Sequence, residues 1–160
     1  MIQFSLPISK KLQRPTLQLT KFHNFYAMID TGSVFPVWCA PEDALKELGG
    51  EKLKDSVTFG GFGGKAEGKL YEIPLFQLGQ LIYPHLNIIV HPDTSFVSSF
   101  ILPATMFNNL IYEINNKTHR LNITVPDDES NVRNLTIKDD NGRLHVFCSS
   151  SDENIKELYL

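Results

Sequence analysis

Residues 25–39 read FYAMIDTGSVFPVWC. Apolar side chains run from Phe25 to Ile29, stop at Asp30-Thr31-Gly32-Ser33, and resume at Val34. A run rich in β-compatible residues reads as a strand buried on both faces. A carboxylate is costly in such a place: left unpaired, it loses solvation or gives up its charge by a shift on the order of a few pKa units. Gly32 permits a sharp turn that brings backbone amides and the hydroxyls of Thr31 and Ser33 close to the carboxylate. An aspartate at the end of a buried strand, held by a turn of this kind, occupies the position of a catalytic group. The bland alternative is ordinary turn chemistry, since Asp before a Gly-containing turn is common.

Around this stretch the chain has 160 residues, 42% apolar and 21% charged, the make-up of one globular domain with a substantial core. A net charge of -3 gives no reason to expect nucleic acid or an anionic membrane as a partner. No apolar run reaches the ~18 residues of a membrane-spanning helix. The first residues, MIQFSLPISKKLQRP, lack the basic-then-apolar order of a signal peptide. Cys39 and Cys148 do not make a disulfide framework, so the expected compartment is reducing and cytoplasmic. The N-x-S/T strings at Asn116, Asn122 and Asn134 are expected chance matches in an Asn-rich chain.

Upstream, Ile2 to Ile8 and Leu17 to Phe22 read as strands on either side of a basic turn containing Pro15. Downstream, PEDALKELGG predicts a short helix opened by Pro41, with acidic residues in its first turn and Gly49-Gly50 at its stop. Leu45 and Leu48 face the core at helical spacing. Two β-type runs, Val57 to Phe59 and Lys69 to Leu75, then flank Gly60-Gly61-Phe62-Gly63-Gly64. That is a glycine-tipped hairpin, whose four glycines leave the backbone amides bare and let it close over a ligand. The alternatives are a merely floppy hairpin or a phosphate cradle. The cradle fits poorly, because Gly64-Lys65 is followed by Ala66 and more strand rather than by Ser or Thr and a helix.

Leu86 to Val90 predicts a central strand. Asp93-Thr94-Ser95 mimics the first motif without its glycine, between turn residues, and reads as a surface turn. FILPA leads into TMFNNL, a short helix with Thr105 as the expected cap. Leu110 to Ile114 and His119 to Val125 form a hairpin, PDDESN an acidic break, and NLTIKDDNGRLHVFC a last hairpin around Asn141-Gly142. The tail SSSDENIKELYL is expected to be a short helix or frayed.

In combination, AMIDTGS, a GGFGG-tipped hairpin about thirty residues on, a buried apolar strand and FILPATMF resemble the retropepsin-like aspartic proteases over residues 25–121. The GGFGG tip is similar to the flap of the retroviral enzymes. The resemblance implies an all-β, closed-barrel acid-protease fold with one or two short helices, here over residues 1–125. Residues 126–160 lie outside it as a C-terminal extension, a β-hairpin and tail expected to pack on the same domain.

The same resemblance implies peptide hydrolysis by two carboxylates sharing a proton, and no cofactor. One chain supplies one such aspartate, with no second D-T/S-G and no internal repeat. A C2 homodimer would bring two copies of Asp30 together. Thr31 would then brace the two loops across the axis, Gly32 would allow the turn, and the Ser33 hydroxyl would hydrogen-bond the carboxylate. Backbone groups of the tip (Gly60, Gly61, Phe62, Gly63, Gly64) would close on an extended, strand-like peptide, with Phe62, Leu102 and Pro103 as candidate walls of apolar pockets.

Two departures stand against the pattern. Leu102 is followed by Pro103 where a glycine is usual, and the extension replaces a short terminal strand. They motivate the second reading, a retropepsin-fold module that binds peptides or dimerises without turnover. A chain that processes only its own precursor is a third.

Other chemistry is weakly signalled. The histidines at 23, 85, 91, 119 and 145 show no HExxH or Cys/His metal spacing, so no metal is expected. There is no GxSxG turn for a serine nucleophile. Cys39, in an apolar run after Trp38, reads as a buried structural thiol. The pairs Asp127-Asp128 and Asp139-Asp140 read as solvated turn residues.

Overall fold

The computed structural model describes residues 1–10, 14–18, 26–61, 64–95, 99–127, 136–140, 143–148 and 156–159. The DTGS stretch enters from β3 (Tyr26–Asp30), which follows β1 (Ile2–Pro7) and β2 (Thr16–Gln18), and leaves into β4 (Val37–Trp38). Helix α1 (Glu42–Glu47) comes next, then the long hairpin of β5 (Glu51–Gly61) and β6 (Gly64–Leu78), and then β7 (Leu81–Val90). Strand β8 (Phe100–Pro103) runs straight into a 3-10 turn, Ala104–Phe107. The hairpin β9 (Ile111–Asn115) and β10 (Arg120–Val125) follows, and then β11 (Thr136–Asp140), β12 (Arg143–Cys148) and β13 (Lys156–Tyr159).

The chain is mostly β, as expected, but no barrel closes among the described residues. The strands form a seven-stranded sheet in the order β2-β3-β8-β4-β7-β6-β5 and two three-stranded sheets, β1-β10-β9 and β11-β12-β13. The ends of the large sheet do not pair with each other. At one end β2 is only three residues long. At the other, β5 carries Glu51, Lys52, Lys54 and Asp55 and two register shifts, features that keep an edge strand from pairing further. The bridge Ile8–Leu17 and a bond from the Ser9 amide to the Thr16 carbonyl (2.7 Å) tie the β1 sheet to the β2 edge.

Several elements differ from the sequence reading: β7, expected over Leu86–Val90, runs from Leu81, and the helix expected from Thr105 is a 3-10 turn. The runs expected at 57–59 and 69–75 grow into strands of 11 and 15 residues, because backbone pairing continues where side-chain alternation fades. Pro74 lies inside β6, yet the β5 partners begin at Glu51 opposite Glu72, so that side of β6 is an open edge where a missing N–H costs no ladder bond. The tail, expected as a helix or frayed, instead contains β13, antiparallel to β12 through His145–Tyr159 to Cys148–Lys156.

The core gathers where the large sheet meets α1 and the β1 sheet. Trp38, Phe100 and Phe76 stack within it, with centroids 5.9 Å apart for Trp38–Phe100 and 5.4 Å for the edge-to-face Phe76–Phe100 pair. Helix α1 forms as predicted, with Leu45 fully buried and Leu48 partly so. It is pinned through Glu42, whose carboxylate accepts hydrogen bonds from Lys69 Nζ and Tyr71 Oη. Those two donors hold Glu42 below its ordinary pKa, while burial and the facing carboxylate push Tyr71 up. Burial likewise raises Cys39 to about 11, the inert thiol expected from the sequence.

Two consequences are measurable. Because the folded protein favours the ionised Glu42, its stabilisation is complete above the ordinary value of 4.5 and lost as pH falls through the lower folded value. Stability in urea should therefore fall below about pH 4.5 with a slope that Glu42→Gln reduces; equal slopes in the two proteins would refute the link. A Cβ on Gly68 would lie 2.5 Å from the Val90 carbonyl oxygen and 3.0 Å from Phe59 and Ile89. Gly68→Ala should cost about 1–3 kcal/mol by urea denaturation.

Candidate active site

Strand β3 alternates in burial: Ala27 and Ile29 are buried, while Tyr26, Met28 and Asp30 are partly exposed. This corrects the expectation of burial on both faces. The apolar run signalled an interior strand, flanked by β2 and β8, whose second face is only half covered in the single chain.

Position in the sheet explains the turn. Strand β3 pairs parallel with β8, from Ala27–Phe100 to Asp30–Pro103, and β4 pairs antiparallel with the other side of β8. Residues 31–36 must therefore cross over the C-terminal end of β8 to connect them. Within the crossing, the Ser33 amide donates to the Asp30 carbonyl at 3.1 Å and the Gly32 amide donates to Asp30 Oδ1 at 3.0 Å. A Cβ on Gly32 would sit 3.3 Å from that same Oδ1, so glycine is what lets the amide approach the carboxylate. The Ser33 hydroxyl donates to the Phe35 carbonyl at 3.1 Å rather than to Asp30, correcting that expected bond. Thr31 is partly exposed. Val34 and Phe35 form an exposed apolar rim beside it.

Leu102 and Pro103, named as pocket walls, lie beneath the crossing. Leu102 is 0% exposed and Pro103 is fully buried. Pairing with Ile29 and Asp30 places them as its floor. Pro103 has φ −77° and ψ 162°, an extended conformation natural to proline, so it is unstrained where a glycine was expected. The 3-10 turn starts directly after it without a side-chain cap. Thr105, expected as that cap, instead donates its hydroxyl to the Val34 carbonyl at 3.2 Å, and the Ala104 amide donates to the Ser33 carbonyl at 3.3 Å. Sequence reasoning missed both contacts; the Thr105 partner is 71 residues away and no local pattern encodes it.

The glycine hairpin forms as a two-stranded arm, with Gly60 opposite Lys65 and Gly61 opposite Gly64. Phe62 and Gly63 lie outside the described residues. The base of the arm is anchored where the Phe59 ring meets His91 edge-on at 5.4 Å. Beside it, a cleft of about 450 Å³ is lined by Glu42, Asp55, Glu67, Lys69 and His91 among others; Asp30 does not line it. In the sheet, β8, β4 and β7 stand between β3 and the arm, and among the described residues no hydrogen bond joins Gly60, Gly61 or Gly64 to the Asp30 turn. Asp93 lies in an exposed turn, accepting from the Ser95 amide at 2.8 Å, which holds its carboxyl below the usual range. Among the described residues no cluster of His, Cys, Asp and Glu could hold a metal ion, and no helix is long and apolar enough to cross a membrane.

No family model matches the chain, and no curated protein matches it in sequence. Among solved structures, it is similar to a retropepsin-like aspartic protease from Rickettsia conorii, with 10% identity, coverage of 76% of this chain and 89% of that one, and a TM-score of 0.46.

Substitution separates the two glycines that carry the motif. Gly32→Ala should lower the unfolding free energy by about 1 kcal/mol, because the new methyl crowds the carboxylate and weakens its bond. Gly60 has nothing within 4 Å of its would-be Cβ and no positive φ. Gly60→Ala should leave stability unchanged or raise it by about 0.5 kcal/mol in the same urea measurement.

Proposed function

We propose that the chain is an aspartic endopeptidase of retropepsin type, acting as a homodimer in which Asp30 of each subunit forms the catalytic pair. The observation that supports this most is the placement of Asp30. It ends an interior strand, is partly exposed, and has its carboxylate held by the Gly32 amide at 3.0 Å in a turn that crosses a neighbouring strand. A fixed carboxylate at a strand end, beside an exposed apolar rim, suits a group that must meet both a second carboxylate and a substrate.

In this reading one Asp30 carboxylate takes a proton from a water molecule, whose oxygen attacks the scissile carbonyl carbon. The other, protonated, donates a hydrogen bond to the carbonyl oxygen as it gains charge. Proton transfer to the amide nitrogen of the tetrahedral intermediate then lets the C–N bond break. The substrate would lie extended against backbone groups of the glycine arm, in the manner of an added strand.

A second reading keeps the fold and the dimer but no turnover, as a peptide-binding or dimerisation module. It is favoured by the Ser33 hydroxyl, which serves the Phe35 carbonyl and leaves the carboxylate with the Gly32 amide as its donor.

Cleavage of a mixed peptide library between about pH 4 and 7 at several protein concentrations tests the proposal. Activity should rise more steeply than linearly with concentration and fall by about 10⁴-fold in Asp30→Asn. Equal activity in Asp30→Asn would overturn the catalytic pair. A well-folded dimer inactive in both forms would leave the binding module.

A further inference from the structure

We infer that Thr105 is a positioning residue for the Asp30 turn, the side-chain half of a clamp that replaces the strand pairing Pro103 cannot continue. The inference rests on the reading of Asp30 as the functional carboxylate. Residues 31–36 lie between β3 and β4 with β8 beneath them; beyond Asp30–Pro103 no β8 pair remains to hold them, and only at their far end does the Pro36 carbonyl accept from the Ile89 amide of β7, at 3.0 Å. Proline brings no N–H to the end of β8. The first donors past it are the Ala104 amide and the Thr105 hydroxyl, and each takes a carbonyl of the crossing segment, Ser33 at 3.3 Å and Val34 at 3.2 Å. Consecutive residues of the 3-10 turn thus hold consecutive residues of the strap.

The clamp acts one step from the carboxylate. Ser33 is bonded through its own amide to the Asp30 carbonyl, and Gly32 through its amide to the Asp30 carboxylate. Fixing the carbonyls of Ser33 and Val34 fixes the two peptide planes that follow Ser33 and so limits how far the Gly32 and Ser33 amides just before them can swing. Ala104 is buried and its bond is part of the backbone, so it responds little to substitution. Thr105 supplies a bond that a side-chain change removes. Valine keeps the β-branched shape and loses the donor; serine keeps the donor and loses the methyl.

Hydrogen exchange of backbone amides in Thr105→Val and Thr105→Ser tests this without needing activity. With one hydrogen bond lost at a partly exposed site, Thr105→Val should speed exchange at Ser33 and Ala104 by about fivefold while core amides of β7 are unchanged. Thr105→Ser should match the parent chain. On a cleaved peptide, Thr105→Val should lower kcat about tenfold with KM nearly unchanged, and Thr105→Ser should restore it. Unchanged exchange at Ser33 and Ala104 in Thr105→Val overturns the inference, as does faster exchange spread evenly through the core, which is what a merely structural role gives. If Thr105→Val does not fold, Thr105→Ala carries the same comparison. A parent chain as inactive as Asp30→Asn would count against the protease reading alone, with the exchange result still deciding the clamp.

Discussion

The structure depends on one topological constraint: β8 lies hydrogen-bonded between β3 and β4, which are themselves joined by residues 31–36 passing over its end. Parallel strands ordinarily need a long crossover between them. Here that crossover is everything from β4 to β7, so β8 arrives late in the chain and slots into a gap that β3 and β4 leave open. Until Pro36, whose carbonyl accepts from Ile89 of β7, the segment over its end has no strand partner, and its shape is set by the turn chemistry of Asp30, Gly32 and Ser33 from above and by Pro103, Ala104 and Thr105 from below. A polar group at that point is partly exposed yet tethered, a combination that neither a core strand nor a free loop provides.

The rest of the large sheet serves a different need. Its far end is a long arm whose base is fixed and whose tip sequence is rich in glycine. The fixation is specific: Gly68 admits the Val90 carbonyl and the Phe59 ring at close range, Phe59 meets His91, and Lys69 and Tyr71 converge on Glu42 at the start of α1. The ion pair is only partly buried and adds little by itself. Its role is to connect the arm to the helix by a bond with direction, next to the nondirectional burial of Leu45 and Tyr71.

Much of this was legible in the residues. The aspartate turn, the α1 helix with its caps, the glycine hairpin, the Asn141-Gly142 hairpin strands and the exposed Asp93 turn are local features, governed by φ preference, periodicity and short-range hydrogen bonding. The sequence predicts Thr105 as a helix cap, Ser33 as a donor to Asp30, Leu102 as a pocket wall and the tail as helix or frayed. In three of these a partner distant in sequence outcompeted the local one: Val34 for Thr105, β3 against Leu102, β12 for the tail. For Ser33 the competitor is itself local, the Phe35 carbonyl two residues on.

The sequence by itself determined which residues turn, which alternate and which acid ends an apolar strand, because these follow from each residue and its near neighbours. Only the tertiary structure decided that β8 passes beneath the turn, that Pro103 and Thr105 meet it there, and that the large sheet stays open. Those depend on which strand edges find one another across long stretches of chain, and a backbone edge offers the same N–H and C=O groups whatever side chains it carries.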